Sequence, residues 1–400
     1  MVVTGNYTDA RYRTVIGEGY DGVVKVSSGN YYGTGVLLYN GLAVLTAAHL
    51  FKGQINPSVS ITFQTSAGTQ AVSANSAAIH PDYDSINSNN DLAIVWLNAS
   101  APTAANRYNL YRNSDEIGQN ITMVGYGKTG TGQVGSTIEN NNNTRIQAQN
   151  TFEADASAFK VSLGSGIAWT PLLGTQLVAD FDNGNSANDA LGRLLGIMNT
   201  GLGQDEGLVA PGDSGGPAFI NNKIAGIASY TASLSIGYIH PDVDSPTNSS
   251  FGEIAAWQRV SNYQQWIDQS IRAQYPNTPT KASEVQKQVT EGNSGTSYAH
   301  FLLQFTGVRA DSNQILSVDY TTRDGTATAG QDYIAQQGTL VIYPNETQTV
   351  VAIEIIGDTT PEPDETFYLD IYHPVGGSFG DGITSLTAIR TILSNDGWVV

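Results

Sequence analysis

Three short segments of this chain contain the residue types needed for nucleophilic acyl-transfer chemistry. In chain order they are Thr46-Ala47-Ala48-His49, Asn90-Asp91-Leu92-Ala93-Ile94 and Ala210-Pro211-Gly212-Asp213-Ser214-Gly215-Gly216-Pro217-Ala218. A serine hydroxyl is a weak nucleophile near neutral pH and needs a base within hydrogen-bond distance. We therefore predict Ser214 as nucleophile, His49 as general base and Asp91 as the carboxylate that orients the imidazole.

The segments around these residues must supply the rest of the geometry. Gly212 can adopt backbone angles closed to other residues, so its amide and that of Ser214 are predicted to bind an oxyanion. The apolar segments Ala43-Val44-Leu45 and Leu92-Ala93-Ile94-Val95 predict buried strands beside His49 and Asp91. Each segment alone has an ordinary structural explanation, because Gly-Asp-Ser-Gly often forms only a turn. Their joint occurrence favours a catalytic triad.

At about residues 15–272 the chain resembles the chymotrypsin-like (trypsin-like) serine peptidases. Besides the triad segments, the resemblance rests on Gly33-Thr34-Gly35-Val36-Leu37, Met123-Val124-Gly125-Tyr126-Gly127, Ile224-Ala225-Gly226-Ile227-Ala228-Ser229-Tyr230 and Trp257-Gln258-Arg259-Val260. It implies an all-β fold, a chymotrypsin-like double β-barrel that ends in a helix. It also implies a polypeptide substrate, an acyl-enzyme intermediate and no cofactor for catalysis.

The resemblance also indicates a specificity pocket. In this family the residue six positions before the nucleophile floors that pocket, and here it is Leu208 rather than an acid. Cleavage is therefore expected after small or medium apolar residues, since a buried Lys or Arg would lack a charge partner. The predicted pocket residues are Leu208, Val209, Ser229, Thr231 and Ala255.

Two hypotheses remain open for activation. Val15-Ile16-Gly17-Glu18 resembles the N-terminus that family members release by cleavage and pair with the acid preceding the nucleophile, here Asp213. Residues 1–14 are then an N-terminal extension or propeptide. Alternatively the enzyme is not a zymogen and another group pairs with Asp213.

A second domain is predicted after a Pro-containing linker at 273–282. Apolar residues alternate in Thr366-Phe367-Tyr368-Leu369-Asp370-Ile371-Tyr372, as in a half-buried strand. Residues 283–400 resemble a Calx-β domain, through the segment 318–333, Gly338-Thr339-Leu340, Ile355-Ile356-Gly357-Asp358 and Glu362-Pro363-Asp364-Glu365-Thr366-Phe367.

This second resemblance implies an immunoglobulin-like sandwich that often binds Ca²⁺ at one end. The implied ligands are Glu291, Asp332, Asp358, Glu362, Glu365 and Asp396. Gly357 departs from the pattern, because calcium-binding members commonly have an Asp there. The alternative is a spacer domain with solvated acidic loops.

A further segment, Asp180-Phe181-Asp182-Asn183-Gly184-Asn185, lies in a stretch that is long for the peptidase family. Its alternating oxygen donors could bind a cation or could form Asx turns.

Composition limits the partners. The net charge is −18, of which residues 273–400 contribute −10, so nucleic acid is excluded as a favoured partner. Cysteine is absent, so disulfides play no part. No segment is apolar for long enough to span a membrane, and Met1–Asn6 does not look like a signal peptide. Location outside the cell or at its surface is therefore expected from the resemblance alone.

The rival functions are a catalytically silent cell-surface binding or adhesion protein and an esterase.

Overall fold

A computed structural model describes residues 1–53, 58–244 and 246–396. The chain forms two compact units. The first contains Met1–Leu38 and Leu42–Gln264, and the second contains Tyr39–Gly41 and Gln265–Val400. Within the described residues, no helix is both long and apolar enough to cross a membrane.

The first half of the first unit is a closed six-stranded barrel in the order β2-β3-β4-β7-β6-β5. Its strands follow from alternating or continuous apolar residues: β5 buries every second side chain, and β4 is buried throughout. The short β1 (Val2–Val3) precedes them. The barrel strands are β2 (Val23–Ser28), β3 (Tyr31–Leu37), β4 (Ala43–Thr46), β5 (Val59–Thr65), β6 (Gly68–Ile79) and β7 (Ala93–Leu97).

The second half of this unit is built on a seven-stranded sheet, in the order β11-β8-β15-β16-β17-β13-β12, and a four-stranded sheet, β10-β9-β1-β14. Trp257 is fully buried in their common core. The strands are β8 (Asn120–Gly125), β9 (Thr129–Thr131), β10 (Gly135–Ile138), β11 (Ile146–Thr151), β12 (Ala154–Asp155), β13 (Gln176–Asp180), β14 (Gly207–Leu208), β15 (Pro217–Ile220), β16 (Lys223–Ala232) and β17 (Ile254–Arg259).

Helices are few, as predicted. The α-helices are α1 (Ser157–Leu163), α2 (Ala190–Leu195) and α3 (Val260–Gln274), and short 3-10 turns occur at Ala10–Tyr12, Ala48–Phe51, Gly164–Gly166, Gly203–Asp205 and Ala282–Glu284. On α3 the predicted apolar stripe buries Tyr263, Ile267 and Ile271, while Trp266 is only partly buried.

The N-terminal segment differs from the expectation that residues 1–14 form an extension. Val2 pairs with Leu208 of β14 and with Gly130 of β9, and residues 1–3 are fully buried. Two adjacent valines complete the four-stranded sheet, so their removal would expose its apolar centre. The segment is thus an integral part of the first unit.

The second unit is a two-sheet sandwich, which confirms the predicted immunoglobulin-like architecture. Its sheets have the orders β18-β24-β23-β20-β21 and β19-β22. The core between them contains Phe301, Tyr333 and Phe367, and the last two rings stack at 4.7 Å. The strands are β18 (Gln288–Thr290), β19 (Thr296–Gln304), β20 (Leu316–Asp324), β21 (Gln337–Ile342), β22 (Gln348–Ile356), β23 (Glu365–Val375) and β24 (Ser385–Leu393).

Candidate active site

The barrel brings His49 and Asp91 into direct contact. His49 lies in the 3-10 turn after β4, and Nδ1 of its imidazole is 2.7 Å from Oδ2 of Asp91. The amide of His49 donates to the other carboxylate oxygen, Oδ1, at 2.8 Å. Asp91 is almost completely buried, whereas the histidine side chain is 31% exposed. A carboxylate on Nδ1 places the proton there and leaves Nε2 free to accept another.

Further contacts hold Asp91 in place. Ser229 of β16 donates a hydrogen bond to its Oδ2 at 2.5 Å. The preceding residue, Asn90, has a left-handed backbone with φ of 55°, and its side-chain oxygen accepts from the hydroxyl of Tyr263 at 3.0 Å. Ser229 was predicted only as a pocket residue. Its contact with Asp91 depends on a strand distant in sequence, and no local motif signals it.

The loop that carries Ser214 packs against the strand that leads to His49. The Ser214 carbonyl accepts from the amide of Thr34 at 2.8 Å. At the next residue, Gly215, a Cβ atom would lie 2.0 Å from Oγ1 of Thr46 and 2.8 Å from the amide of Ala47. Only glycine permits this approach. The structure thereby places the nucleophile segment beside the end of β4, next to the turn that holds His49.

The backbone of this loop fits an oxyanion site. Gly212 has a φ of 96°, a backbone conformation that other residues rarely adopt, and a Cβ atom there would lie 2.6 Å from the ring of Tyr32. Both the backbone conformation and the contact with Tyr32 therefore require glycine. The amides of Asp213, Gly215 and Gly216 donate to backbone carbonyls. In the part of the chain that the structure describes, the amides of Gly212 and Ser214 have no backbone acceptor, which leaves two donors for a ligand.

Asp213 is buried and paired with the chain terminus. Its carboxylate accepts from the amides of Gly127 at 2.8 Å and Ala210 at 2.9 Å. The α-ammonium of Met1 lies 2.7 Å from Oδ2 and also donates to the carbonyl of Lys128. Val15 and Ile16 are 55% and 52% exposed. In this structure the ion-pair partner of Asp213 is the Met1 ammonium, and whether activation requires cleavage stays a prediction.

An open cleft adjoins Ser214. It is lined by Val209, Ala210, Pro211, Ser214, Ala228, Ser229, Tyr230 and Thr231. Three predicted pocket residues, Val209, Ser229 and Thr231, are among them. The prediction for Leu208 and Ala255 needs correction: both are fully buried in the core that contains Trp257 and lie outside this lining.

Comparison with known proteins agrees with both sequence resemblances. Residues 13–167 match the trypsin family, and residues 282–396 match the Calx-beta domain. The chain carries a trypsin domain followed by a Calx-beta domain. The trypsin match includes His49 and Asp91 and ends before Ser214, so the nucleophile rests on its own motif and on the packing described above.

Individual relatives match only parts of the chain. Human sodium/calcium exchanger 2 is 38% identical over 108 residues, which is 24% of this chain and 12% of that protein. The Drosophila melanogaster sodium/calcium exchanger Calx is 39% identical over 69 residues, or 17% and 7%. The chain thus spans a small fraction of these relatives. Among solved structures, neuropsin, a serine protease of mouse brain, aligns with a TM-score of 0.46 and 18% identity over 65% of this chain and 98% of its own.

In the Calx-beta domain the six predicted calcium ligands come together at one end of the sandwich. Glu291, Asp358 and Asp396 follow β18, β22 and β24, respectively. Glu362 and Glu365 lie just before and at the start of β23, and Asp332 lies in the loop between β20 and β21. Ligand oxygens lie within 4.8 Å of one another in two groups of three: Glu291, Asp358 and Asp396, and Asp332, Glu362 and Glu365.

The electrostatics of this end reflect its crowding. Burial, followed by contact with Asp332, raises the pKa of Glu365 to about 7. Burial and the neighbouring carboxylates also raise the pKa values of Glu291 and Glu362. These acids therefore repel one another when ionised without a cation.

Gly357, the departure from the pattern, has a steric reason. A Cβ atom at this position would lie 2.8 Å from the carbonyl oxygen of Gly292. A nearby asparagine, Asn395, accepts from the amide of Gly292 at 2.8 Å and fixes that loop. An aspartate at 357 would require the two backbones to separate, so this domain has one carboxylate fewer than the family pattern allows.

Proposed function

We propose that this chain is a serine endopeptidase that uses Ser214, His49 and Asp91. The observation that carries the proposal is the buried Asp91, whose Oδ2 contacts both Nδ1 of His49 and the hydroxyl of Ser229. This arrangement orients the imidazole with Nε2 available as a base.

The geometry supports the following reaction. Oγ of Ser214 attacks the scissile carbonyl carbon while Nε2 of His49 takes the hydroxyl proton, and Asp91 stabilises the imidazolium. The oxyanion binds the amides of Gly212 and Ser214, a contribution worth about 100- to 1,000-fold in rate per donor. His49 then protonates the leaving amine, which leaves an acyl-enzyme. Water, deprotonated by His49, attacks the ester, and collapse releases the acid and restores Ser214.

The cleft lining supports apolar specificity. Val209, Ala210 and Ala228 offer small apolar surfaces, and no acidic side chain is among the residues that line the described cleft. A Lys or Arg side chain would lose its hydration there without gaining a charge partner. We therefore infer cleavage after small or medium apolar residues.

Labelling with a fluorophosphonate probe tests the triad directly. The wild-type chain should be labelled and Ser214→Ala should not, while peptide hydrolysis falls by several orders of magnitude. Ser233→Ala is a matched control, because Ser233 lies outside the cleft lining and donates to Asp242. Equal labelling of wild type and Ser214→Ala would reject the assignment. An unlabelled wild type would favour the silent binding protein, and faster turnover of acyl esters with no peptide cleavage would favour the esterase.

For the Calx-beta domain we propose calcium binding. The donor set fits this cation, since Ca²⁺ takes six to eight oxygen ligands and the site supplies clustered carboxylates. Oδ2 of Asp396 is buried without a hydrogen-bond partner, so an acceptor is left for an ion. Asp332, Glu362 and Glu365 would hold one ion, and Glu291, Asp358 and Asp396 would complete a second position. Calcium and a peptidase together favour a secreted or cell-surface location.

A further inference from the structure

The trypsin domain contains a second group of acids, away from the triad and from the Calx-beta domain. Glu153 lies between β11 and β12, Asp180 ends β13, and Asp182 follows two residues later. One oxygen from each lies within 4.8 Å of the others. Their exposures are 8%, 0% and 1%, so all three carboxyls lie inside the domain.

Four carboxylate oxygens of this acid cluster (Glu153, Asp180 and Asp182) lack hydrogen-bond partners, whereas Oδ2 of Asp180 accepts from the amide of Leu191 at 2.7 Å. Oε2 of Glu153, Oδ1 of Asp180 and both Oδ atoms of Asp182 are buried without a hydrogen-bond donor. Across residues 1–53, 58–244 and 246–396, no Lys, Arg or His forms an ion pair with any of the three. Buried polar groups in folded proteins normally have partners, so four unpartnered oxygens at one point require an explanation.

Neighbouring acids do not share this deficiency. Glu206 is 1% exposed, but its Oε1 accepts from the amide of Asp182 at 2.8 Å and its Oε2 from that of Leu202 at 2.5 Å. Asp189 caps α2, with Oδ1 accepting from the amide of Gly192 at 2.5 Å. Buried Glu253 also has one unpartnered oxygen, Oε2, but its Oε1 accepts from the amides of Asn248 and Ser250. The acid cluster differs because four unpartnered oxygens from three side chains lie together.

Two occupants can satisfy such a cluster. Burial, together with the neighbouring carboxylates, raises the pKa values of Glu153 and Asp182 and favours their neutral forms. Protons shared between the carboxyls are one solution. A cation is the other, and it satisfies several oxygens at once because each carboxylate can coordinate directly.

We propose that Glu153, Asp180 and Asp182 bind a calcium ion in the trypsin domain. The group offers oxygen ligands only, with up to three negative charges, which matches a hard divalent cation. Softer metals such as zinc favour thiolate or imidazole ligands, and neither belongs to this group.

The position of the acid cluster connects a bound ion to the cleft beside Ser214. Glu206 binds the amide of Asp182 and immediately precedes β14, which continues into the cleft residues Val209 and Ala210. An ion on Asp182 would hold this segment, and through it one wall of the cleft that adjoins Ser214. Binding itself is independent of the proposed peptidase activity, whereas an effect on turnover rests on that activity.

The test uses the full chain with Asp332→Asn and Glu365→Gln, which weaken the Calx-beta cluster, and Ser214→Ala, which prevents self-cleavage. In this parent protein, calcium titration by calorimetry should give heat. At a hundredfold excess over Kd, the melting temperature of the trypsin domain should rise by about 5 to 10 °C. Adding Glu153→Gln and Asp182→Asn should remove both the heat assigned to this site and the shift.

Two variants keep the result interpretable. Asp205→Asn removes an exposed acid next to Glu206 that pairs with Arg11, so it should retain the full response. Glu153→Gln alone is isosteric and, should the double substitution impair folding, it should still lower calcium affinity at least tenfold. A parent protein with no heat and no thermal shift would overturn the proposal in favour of shared protons. So would an unchanged response after Glu153→Gln and Asp182→Asn. Because the parent carries Ser214→Ala, either failure says nothing against the peptidase assignment.

Discussion

The hydroxyl of Ser229 donates to Oδ2 of Asp91 at 2.5 Å, and this is the oxygen that Nδ1 of His49 contacts at 2.7 Å. Asp91 thus receives hydrogen bonds from the His49 ring, the His49 amide and Ser229. Together these hydrogen bonds restrain the carboxylate that contacts the imidazole. Because the hydroxyl of Ser229 contacts Asp91, we expect this cleft residue to act on the reaction as a positioning residue.

Ser229→Ala should therefore lower kcat by about tenfold, consistent with the loss of one hydrogen bond to a charged group. KM should change little, since the missing hydroxyl is small. Thr231→Ala, in the same cleft but without contact to Asp91, should change KM more than kcat. Steady-state kinetics on one peptide substrate measure both constants. An unchanged kcat in Ser229→Ala would contradict the positioning role.

The buried ion pair between the Met1 ammonium and Asp213 makes a second prediction. Breaking a buried pair by removing one partner costs about 3–5 kcal/mol, because the other charge stays unpaired. Adding a single glycine before Met1 should displace the ammonium, disorder the Gly212–Ser214 amides and reduce kcat/KM by at least a hundredfold. Val15→Ala, at an exposed position, should have no effect. Equal activity of the extended and original chains would show that Asp213 needs no such partner.

The apolar lining of the cleft provides a third prediction, on specificity. A peptide library should show cleavage after small or medium apolar residues, with Lys and Arg poorly used. Leu208→Asp should not convert the enzyme to basic specificity, since the side chain is fully buried and paired with Val2. It should instead destabilise the trypsin domain by several kcal/mol through an unpaired buried charge. Efficient cleavage after Arg by this variant would place residue 208 in the cleft after all.

His300 gives a prediction about acid stability in the second unit. Burial, followed by the charge of Arg390, lowers the pKa of His300 below its usual value of about 6.5. The unfolded chain then binds more protons than the folded one between the two pKa values, so stability falls as pH drops through 6.5 and below. His300→Phe should flatten this part of the curve in thermal melts. The exposed His373→Gln should leave it unchanged.

The sequence predicted what local motifs encode. Short segments carried His49, Asp91 and Ser214. The structure places the first two in contact and packs the Ser214 segment against the end of β4, next to the turn that holds His49. All six Calx-beta acids also came together, because the topology gathers the loops and strand ends that carry them at one end of the sandwich. The contacts that the sequence did not predict depend on pairing between strands that are distant in the chain. Met1 reaches Asp213 only because β1 joins β14, and Glu153 meets Asp182 only because β12 pairs with β13.

Calcium binding by the Calx-beta domain is the last prediction. In the full chain carrying Glu153→Gln and Asp182→Asn, millimolar Ca²⁺ should still raise the melting temperature of the second unit, because an ion that binds only the folded state stabilises it. Asp332→Asn with Glu365→Gln should abolish that rise. Asp370→Asn is the control and should keep the calcium response. The carboxylate of Asp370 pairs with Arg323 on an exposed face, in the middle of β23.

Gly357 leaves the calcium site one acid short, so calcium should bind more weakly than in a domain with an aspartate at that position. Gly357→Asp should fail to strengthen calcium binding, because the backbone of Gly292 blocks the side chain. A calcium-independent melting temperature in calorimetric scans would make this domain a spacer.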